Sequence, residues 1–443
     1  MSEVLPSTIV APLDALGQAL VRVARTHRDD TLATLEQETL TTIRAAMPGL
    51  LGAVLGLSTS SLQPGGVGRT VPCPGCGERR PVEGWRTRAL QTVCGPLSIE
   101  RPWYHCRICQ HGWSPTDATW DLAPRARLSA GVADWVIDLG ATTSFADAQR
   151  ELVKLSGLEV SAETIRRYSE QRGTEMDVAD EAAAQTVLRT QEAVAPLDPA
   201  PGTLVVETDG VMVRYQSGWH EVKLGLVGGQ VTGDLTALSY LAVRQSAEKF
   251  GPRLLAEAAR RGALEIVGWE GPITGHPLAV LRRVVVLGDG ARWIWILAAD
   301  HFGERIEIVD FFHASEHLWT LAHALFGEGT WLAMRWADFA RLALSEEGAS
   351  SLLTLLDATT PPSPSAATVL QRERQYFRTN QARMDYPAFR QQGLPLGSGA
   401  VESAGRHLVQ MRMKRAGARW SDEGGQAVLN VRCRLISHRS LAA

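Results

Sequence analysis

With 45 Lys+Arg against 48 Asp+Glu, the 443-residue chain has a net charge of −3. That excludes nucleic-acid binding through a uniformly basic surface, so any such affinity must sit in local patches. Its 45% hydrophobic and 21% charged residues exclude a disordered or collagen-like chain, and its length suits roughly three domains of about 150 residues each.

Residues 1–60 read as a helical N-terminal segment. Leu16, Leu20 and Val23 share one face, and Leu32, Leu35 and Ile43 approximately share another, for packing or self-association. The longest apolar stretch, near Ile43–Leu57, carries Arg44 and Pro48. It is shorter than the about 20 apolar residues that a spanning helix needs. No signal-peptide pattern precedes it, so the expectation is a cytoplasmic protein without membrane association. The glycine-rich stretch Ser61–Gly68 reads as a linker.

Residues 61–120 hold four of the six cysteines, in the pairs Cys73-Pro-Gly-Cys76 and Cys106-Arg-Ile-Cys109. Such pairs on tight turns supply the paired thiolates of a tetrahedral structural zinc site. Without a secretory signal the pattern favours metal over disulfides. The expectation is a zinc-ribbon-like module, with Cys94, His105 and His111 as spare ligand types nearby and Cys433 as a small core residue.

Residues 121–195 turn helical. A helix over Ser144–Leu155, a break at Ser156–Val160 and a helix from Ser161, its N-cap, to Ser169 resemble a helix-turn-helix. Arg166 and Arg167 would then lie where a recognition helix reaches a DNA groove; an ordinary helical hairpin with solvated arginines fits equally.

From about residue 196 the period changes to strands, at Leu204–Val213, His220–Val227, Ala237–Val243, Arg283–Leu287 and Arg305–Val309, with a helix near Ala247–Arg261 before the fourth. Two Asp-Gly dipeptides follow β-branched runs, at Asp209 and Asp289. An Asp-Gly is usually a turn. Two of them flanking a strand-strand-helix pattern give the order of an RNase H-like fold, whose first and fourth strands are neighbours. Glu207 shares a face with Asp209, in a supporting or surface role. Asp300, Glu304 and Asp310 compete with Asp289 for the second position, and Asp289 is preferred because it follows Val284–Leu287. Asp310 and His313 straddle a strand-to-helix turn and could both face the site; a capping or core role for His313 stays open.

Residues 317–396 read as a helical insertion interrupted by the Pro/Ser-rich stretch Asp357–Ala366. Residues 397–443 bring Glu402 in the first turn of a helix, with Arg406 one turn on. Arg412, Lys414, Arg415 and Arg419 form a basic cluster suited to phosphates. The chain has thirteen tryptophans; Trp420 after this cluster, and Trp293 with Trp295 after Asp289, could stack on an unpaired base, although core packing is each one's commoner role. Three carboxylates from separated elements are the oxygen ligands that magnesium, or manganese, requires.

Gly288–Trp295, Ile308–His317, Gly397–Ser403 and Met413–Trp420 resemble, in this order, the catalytic half of the ISKra family of bacterial insertion-sequence transposases, DDE enzymes of RNase H-like fold related to the Mutator-like group. The resemblance covers about 200–435 and is weaker over 60–180. It implies Asp209, Asp289 and Glu402 as the DDE ligands of two magnesium ions, with Asp310 and His313 as the acid-x-x-histidine motif of the wider group. It further implies a multidomain α+β protein with an RNase H-like α/β core at 196–316, a structural zinc, and a homodimer or higher oligomer on double-stranded DNA at the nucleoid. The implied function is binding of terminal inverted repeats with metal-dependent cleavage and strand transfer. A nuclease of the same fold without transfer, and a zinc and helix-turn-helix regulator, are the alternatives.

Overall fold

Two helices open the chain, α1 (Ser7–Thr26) and α2 (Leu32–Ser58). The computed structural model describes residues 6–58, 70–190, 200–267, 278–281 and 283–437. The linker expected at 61–68, residues 191–195 and residues 438–443 lie outside these. The chain is a mixed α and β protein in two compact units, Met1–Tyr168 and Ser169–Ala443.

In the first unit, α1 buries no residue. The apolar Leu51 and Leu55 of α2 pack against Leu90, Leu97 and Ile99. These belong to a hairpin of β3 (Gly84–Thr92) and β4 (Gly95–His105), which follows two short paired strands, β1 (Val71–Pro72) and β2 (Arg79–Arg80). Leu32–Gly56 of α2 is one helix long and apolar enough to cross a membrane, with mean hydropathy 1.2. The stretch judged too short from its sequence is thus part of a longer helix, and one face of it meets the hairpin. β5 (Gly112–Trp113) pairs with the end of β4, and α3 (Pro115–Thr119) follows.

Three helices then share a core of Leu128, Val132, Val136, Ala148, Leu152, Leu158, Val160 and Ile165. They are α4 (Ala130–Thr142), α5 (Phe145–Ser156) and α6 (Ala162–Thr190). Ser144 caps α5 by accepting from the Asp147 amide at 3.1 Å, and Ser161 accepts from the Thr164 amide at 3.2 Å. Gly157 ends α5 at φ +73°, a left-handed value that suits glycine. The second helix of the expected pair therefore runs far past Ser169, and its body belongs to the second unit.

That unit is built on a five-stranded sheet in the order β12-β11-β6-β7-β8. β6 (Thr203–Tyr215), β7 (Gly218–Val231) and β8 (Asp234–Val243) form an antiparallel meander. After α7 (Ala247–Arg260), a hairpin of β9 (Leu264–Val267) and β10 (Leu278–Leu281) was not foreseen in the sequence. β11 (Val284–Gly288) then pairs parallel with β6, and β12 (Arg305–Val309) parallel with β11 across α8 (Arg292–His301). Every residue of β11 is buried, as a continuous β-branched run covered on both faces requires.

The helical stretch that follows comprises α9 (Phe311–Phe326), α10 (Trp331–Glu347), α11 (Ala349–Ala358), α12 (Pro364–Thr379) and α13 (Tyr386–Gln391). It starts at Phe311, earlier than expected, because Asp310 caps α9. Ser363 accepts from the Ala366 amide and restarts the chain as α12 after the proline-rich break. Then come α14 (Gly399–Ala404), a π turn over Gly405–Gln410, α15 (Met411–Met413) and α16 (Asp422–Ile436). The carbonyls of His407 and Leu408 in the π turn accept from the buried guanidinium of Arg432 on α16. α16 crosses α6 so closely that a Cβ on Gly173 would lie 2.0 Å from the Ala427 carbonyl oxygen.

Candidate active site

The parallel ladder ends with Thr208 opposite Gly288. The next residues on these neighbouring strands are Asp209 and Asp289, on strands about 4.8 Å apart. Asp209 is not at a strand end, as its sequence suggested. β6 continues to Tyr215, paired beyond this point with β7 and, at Tyr215, bridged to Trp420. Asp209 accepts from its neighbour Gly210 N–H at 2.7 Å, and Asp289 from Ala291 N–H at 2.8 Å, so each carboxylate is oriented by local backbone. Both are half-buried.

Glu402 comes to this edge on α14, which packs on β6 and β7. Burial raises the Asp209 carboxyl above its ordinary range, and the charges of Asp289 and Glu402 raise it further, against the Gly210 amide and His313. Burial likewise raises Glu402, helped by Asp310 and Glu316 and opposed by Arg406 and His313. Asp289, Glu402 and His313 thus all sit within electrostatic reach of Asp209, and none of the three acids has a salt-bridge partner among the described residues. Among the described residues, no three acids bring ligand atoms within 4.8 Å of one another as the cysteines do. Glu402 is exposed and can rotate.

Two further acids set this geometry. Glu207, read as a supporting or surface residue, is fully buried. One of its oxygens accepts from the Val401 amide at 2.9 Å and fastens the first turn of α14 to β6. Its other oxygen, Oε1, is buried without a partner. Burial pushes this carboxyl up to about 7; the Val401 amide lowers it, and Asp310 and Glu402 raise it.

Asp310 corrects an expectation. It is fully buried. One oxygen accepts from Phe312 N–H at 2.5 Å and His313 N–H at 3.2 Å, and the other from Ser398 N–H at 2.6 Å and the Ser398 hydroxyl. Its oxygens are committed to the chain's own donors, so it positions α9 and the turn before Glu402 rather than facing a substrate. His313, on the first turn of α9, lies within electrostatic reach of Asp209 and Glu402, with its Nδ1 3.7 Å from Glu316. Its ring meets His317 edge to face at 5.2 Å. His317 in turn stacks on Tyr376 at 3.7 Å and contacts the buried Glu373 at 2.5 Å. The Tyr376 hydroxyl donates to the Asp289 carbonyl at 3.1 Å. The insertion helix α12 therefore buttresses the Asp289 turn, a link between distant segments that local sequence patterns do not display.

Several residues assigned to DNA take other roles. Trp420 is buried; its Nε1–H donates to the Met413 carbonyl and Arg412, itself buried, stacks over its ring at 4.6 Å. Trp293 packs edge-on to Phe250 at 6.0 Å beneath Lys223, and Trp295 is buried under Arg383. These tryptophans and Arg412 are packing elements. Lys414, Arg415, Arg419 and Arg406 are exposed. Arg166 is held by Glu163 at 2.8 Å, and Arg167 is exposed.

In the first unit, the thiols of Cys73, Cys76, Cys106 and Cys109 all lie within 4.8 Å of one another. The Cys73–Cys109 and Cys76–Cys106 sulfurs are 3.5 Å apart, near the about 3.8 Å edge of a tetrahedron with 2.3 Å Zn–S bonds. Each pair sits on a turn closed by a left-handed residue, Gly77 at φ +76° and Gln110 at φ +57°. The backbone amide of Cys109, together with that of Ile108, holds the Cys106 thiol down to about 6, whereas Cys76 and Cys109 are raised by the thiols beside them; thiolate is the ligating form. The cluster is compatible with a structural zinc site. Cys94, His105 and His111 stand outside it, and Cys433 is buried.

No protein family matches the chain, and no curated protein matches it.

Proposed function

We propose that the chain is a DNA transposase of the DDE type, with Asp209, Asp289 and Glu402 as its metal-binding carboxylates. The observation that carries this reading is the placement of Asp209 and Asp289 on adjacent parallel strands with Glu402 in electrostatic reach. The sheet order, a three-stranded meander extended by two parallel strands beside its first, supports assignment to the RNase H-like fold. The all-oxygen donor set fits magnesium or manganese. Burial first, and the neighbouring acids second, raise the Asp209 and Glu402 carboxyls above their ordinary range, and a bound cation would offset both.

Two such ions, when bound, would polarise the scissile phosphate and clamp the attacking and leaving oxygens of an in-line displacement. The chain's own residues arrange the rest. Glu207 and Asp310 fix the entry to α14 and so aim Glu402. Tyr376 holds the Asp289 turn through its backbone. His313, half-buried and with Nδ1 3.7 Å from Glu316, would donate to a phosphate oxygen. The zinc module and the α4–α6 helices would bind the element's double-stranded ends, and paired ends call for a homodimer or higher oligomer, in a cytoplasmic setting at the nucleoid.

Strand transfer separates this reading from a nuclease of the same fold. Precut ends incubated with target plasmid and magnesium should yield joined products. Cleavage of uncut ends without any joining would assign a nuclease instead. Tight end binding without cleavage would assign a regulator.

A further inference from the structure

One surface is left unused by the carboxylate site. Beyond Asp209, β6 and β7 project as a hairpin in which Arg214 pairs directly with Trp219. Trp219 is 61% exposed, although an indole this size is usually covered. The loop after α15, which carries Lys414, Arg415 and Arg419, faces the same hairpin, and together they line a cleft of about 690 Å³. No acidic residue lines it. Arg214, Lys414 and Arg419 form no ion pair among the described residues, whereas Arg253, Arg260 and Arg434 are all paired with acids. The loop is held to the hairpin by Trp420, whose carbonyl accepts from Gln216 N–H at 2.8 Å, so the cleft is a built feature.

We propose that this cleft binds unpaired nucleotides of a DNA strand, one base stacked on Trp219 and the flanking phosphates on Arg214, Lys414, Arg415 and Arg419. The inference rests on the reading that DNA is the substrate. A concave site of this size accepts bases presented singly. An exposed indole beside several cations is the combination that single strands use, stacking for the base and charge for the backbone. Arg214 lies five residues beyond Asp209 on one strand, about 17 Å along it. The odd spacing turns the Arg214 and Asp209 side chains to opposite faces of the sheet, so a strand that reaches both must pass over the edge of β6 beyond its ladder with β11.

The test compares wild type, Trp219→Ala, Trp219→Phe and a Lys414→Gln/Arg419→Gln double variant. Fluorescence anisotropy would follow a labelled oligothymidylate of about 12 nucleotides and a duplex of the same length. Trp219→Ala should weaken oligothymidylate binding by about five- to hundredfold, the range of one stacked base, and Trp219→Phe should restore most of it. The duplex should respond little to either. The double variant should flatten the salt dependence of oligothymidylate binding. Unchanged oligothymidylate binding by Trp219→Ala, or an equal loss on both ligands, would overturn the proposal. Magnesium-dependent cleavage by wild type, assayed beside it, keeps the two readings apart. Cleavage with an indifferent Trp219 removes the cleft alone. A Trp219-dependent single-strand affinity without cleavage removes the carboxylate reading alone.

Discussion

Replacing Glu207 by glutamine should make the protein less sensitive to rising pH. Glu207 has no exposure, one oxygen bonded to the Val401 amide and one without a partner. Burial lifts its carboxyl from the ordinary 4.5 to about 7. The folded state therefore keeps a proton that the unfolded chain releases, so folding stability falls as pH rises from 4.5 and levels off above about 7. The gap between those values corresponds to about 3 kcal/mol. Glutamine can still accept from Val401 and has no charge to bury. Urea unfolding of both proteins at about pH 5 and about pH 8 should show wild type losing up to about 3 kcal/mol relative to Glu207→Gln at the higher value. An equal difference at both pH values would refute the reasoning.

Other consequences follow from the same packing. Cys106→Ser, or stripping metal with a strong chelator, should unfold the hairpin module and abolish the one zinc per chain that elemental analysis should find. Gly173→Ala should destabilise the protein by about 1–3 kcal/mol in thermal unfolding, since the added carbon would overlap the Ala427 carbonyl; a neutral effect would mean that α6 and α16 separate freely. Asp310→Ala removes a helix cap and the Ser398 tie, costing at least about 1 kcal/mol of stability. It should also lower the rate of cleavage more than the affinity for DNA ends, which filter binding and cleavage assays would separate.

What the sequence displayed and what it concealed have physical reasons. The strands around Val205 and Val285 were legible because β-branched runs have little else to form. Their adjacency followed from strand order, which put Asp209 beside Asp289. The cysteine pairs were legible because each encodes its own turn. Glu207 and Asp310 were harder, since a buried acid and an exposed one look alike until the partner amides of Val401 and Ser398 are placed. Arg412 and Trp420 were misassigned for a related reason: a cation and an indole can serve DNA or each other, and only the return of Trp420 to Tyr215 decides. Trp219 drew no notice because the basic loop of Lys414, Arg415 and Arg419 that shares its cleft lies about two hundred positions away in the chain, and α8 was hidden by a tryptophan-rich start.

The central claim is that Asp209, Asp289 and Glu402 act as one metal-dependent cleavage site. The most direct measurement is cleavage of labelled DNA carrying the element's own ends, with magnesium, by wild type, Asp209→Asn and Glu402→Gln. Cleavage by wild type alone, with all three proteins binding the ends equally, is the predicted result. Cleavage by either variant at the wild-type rate would contradict it.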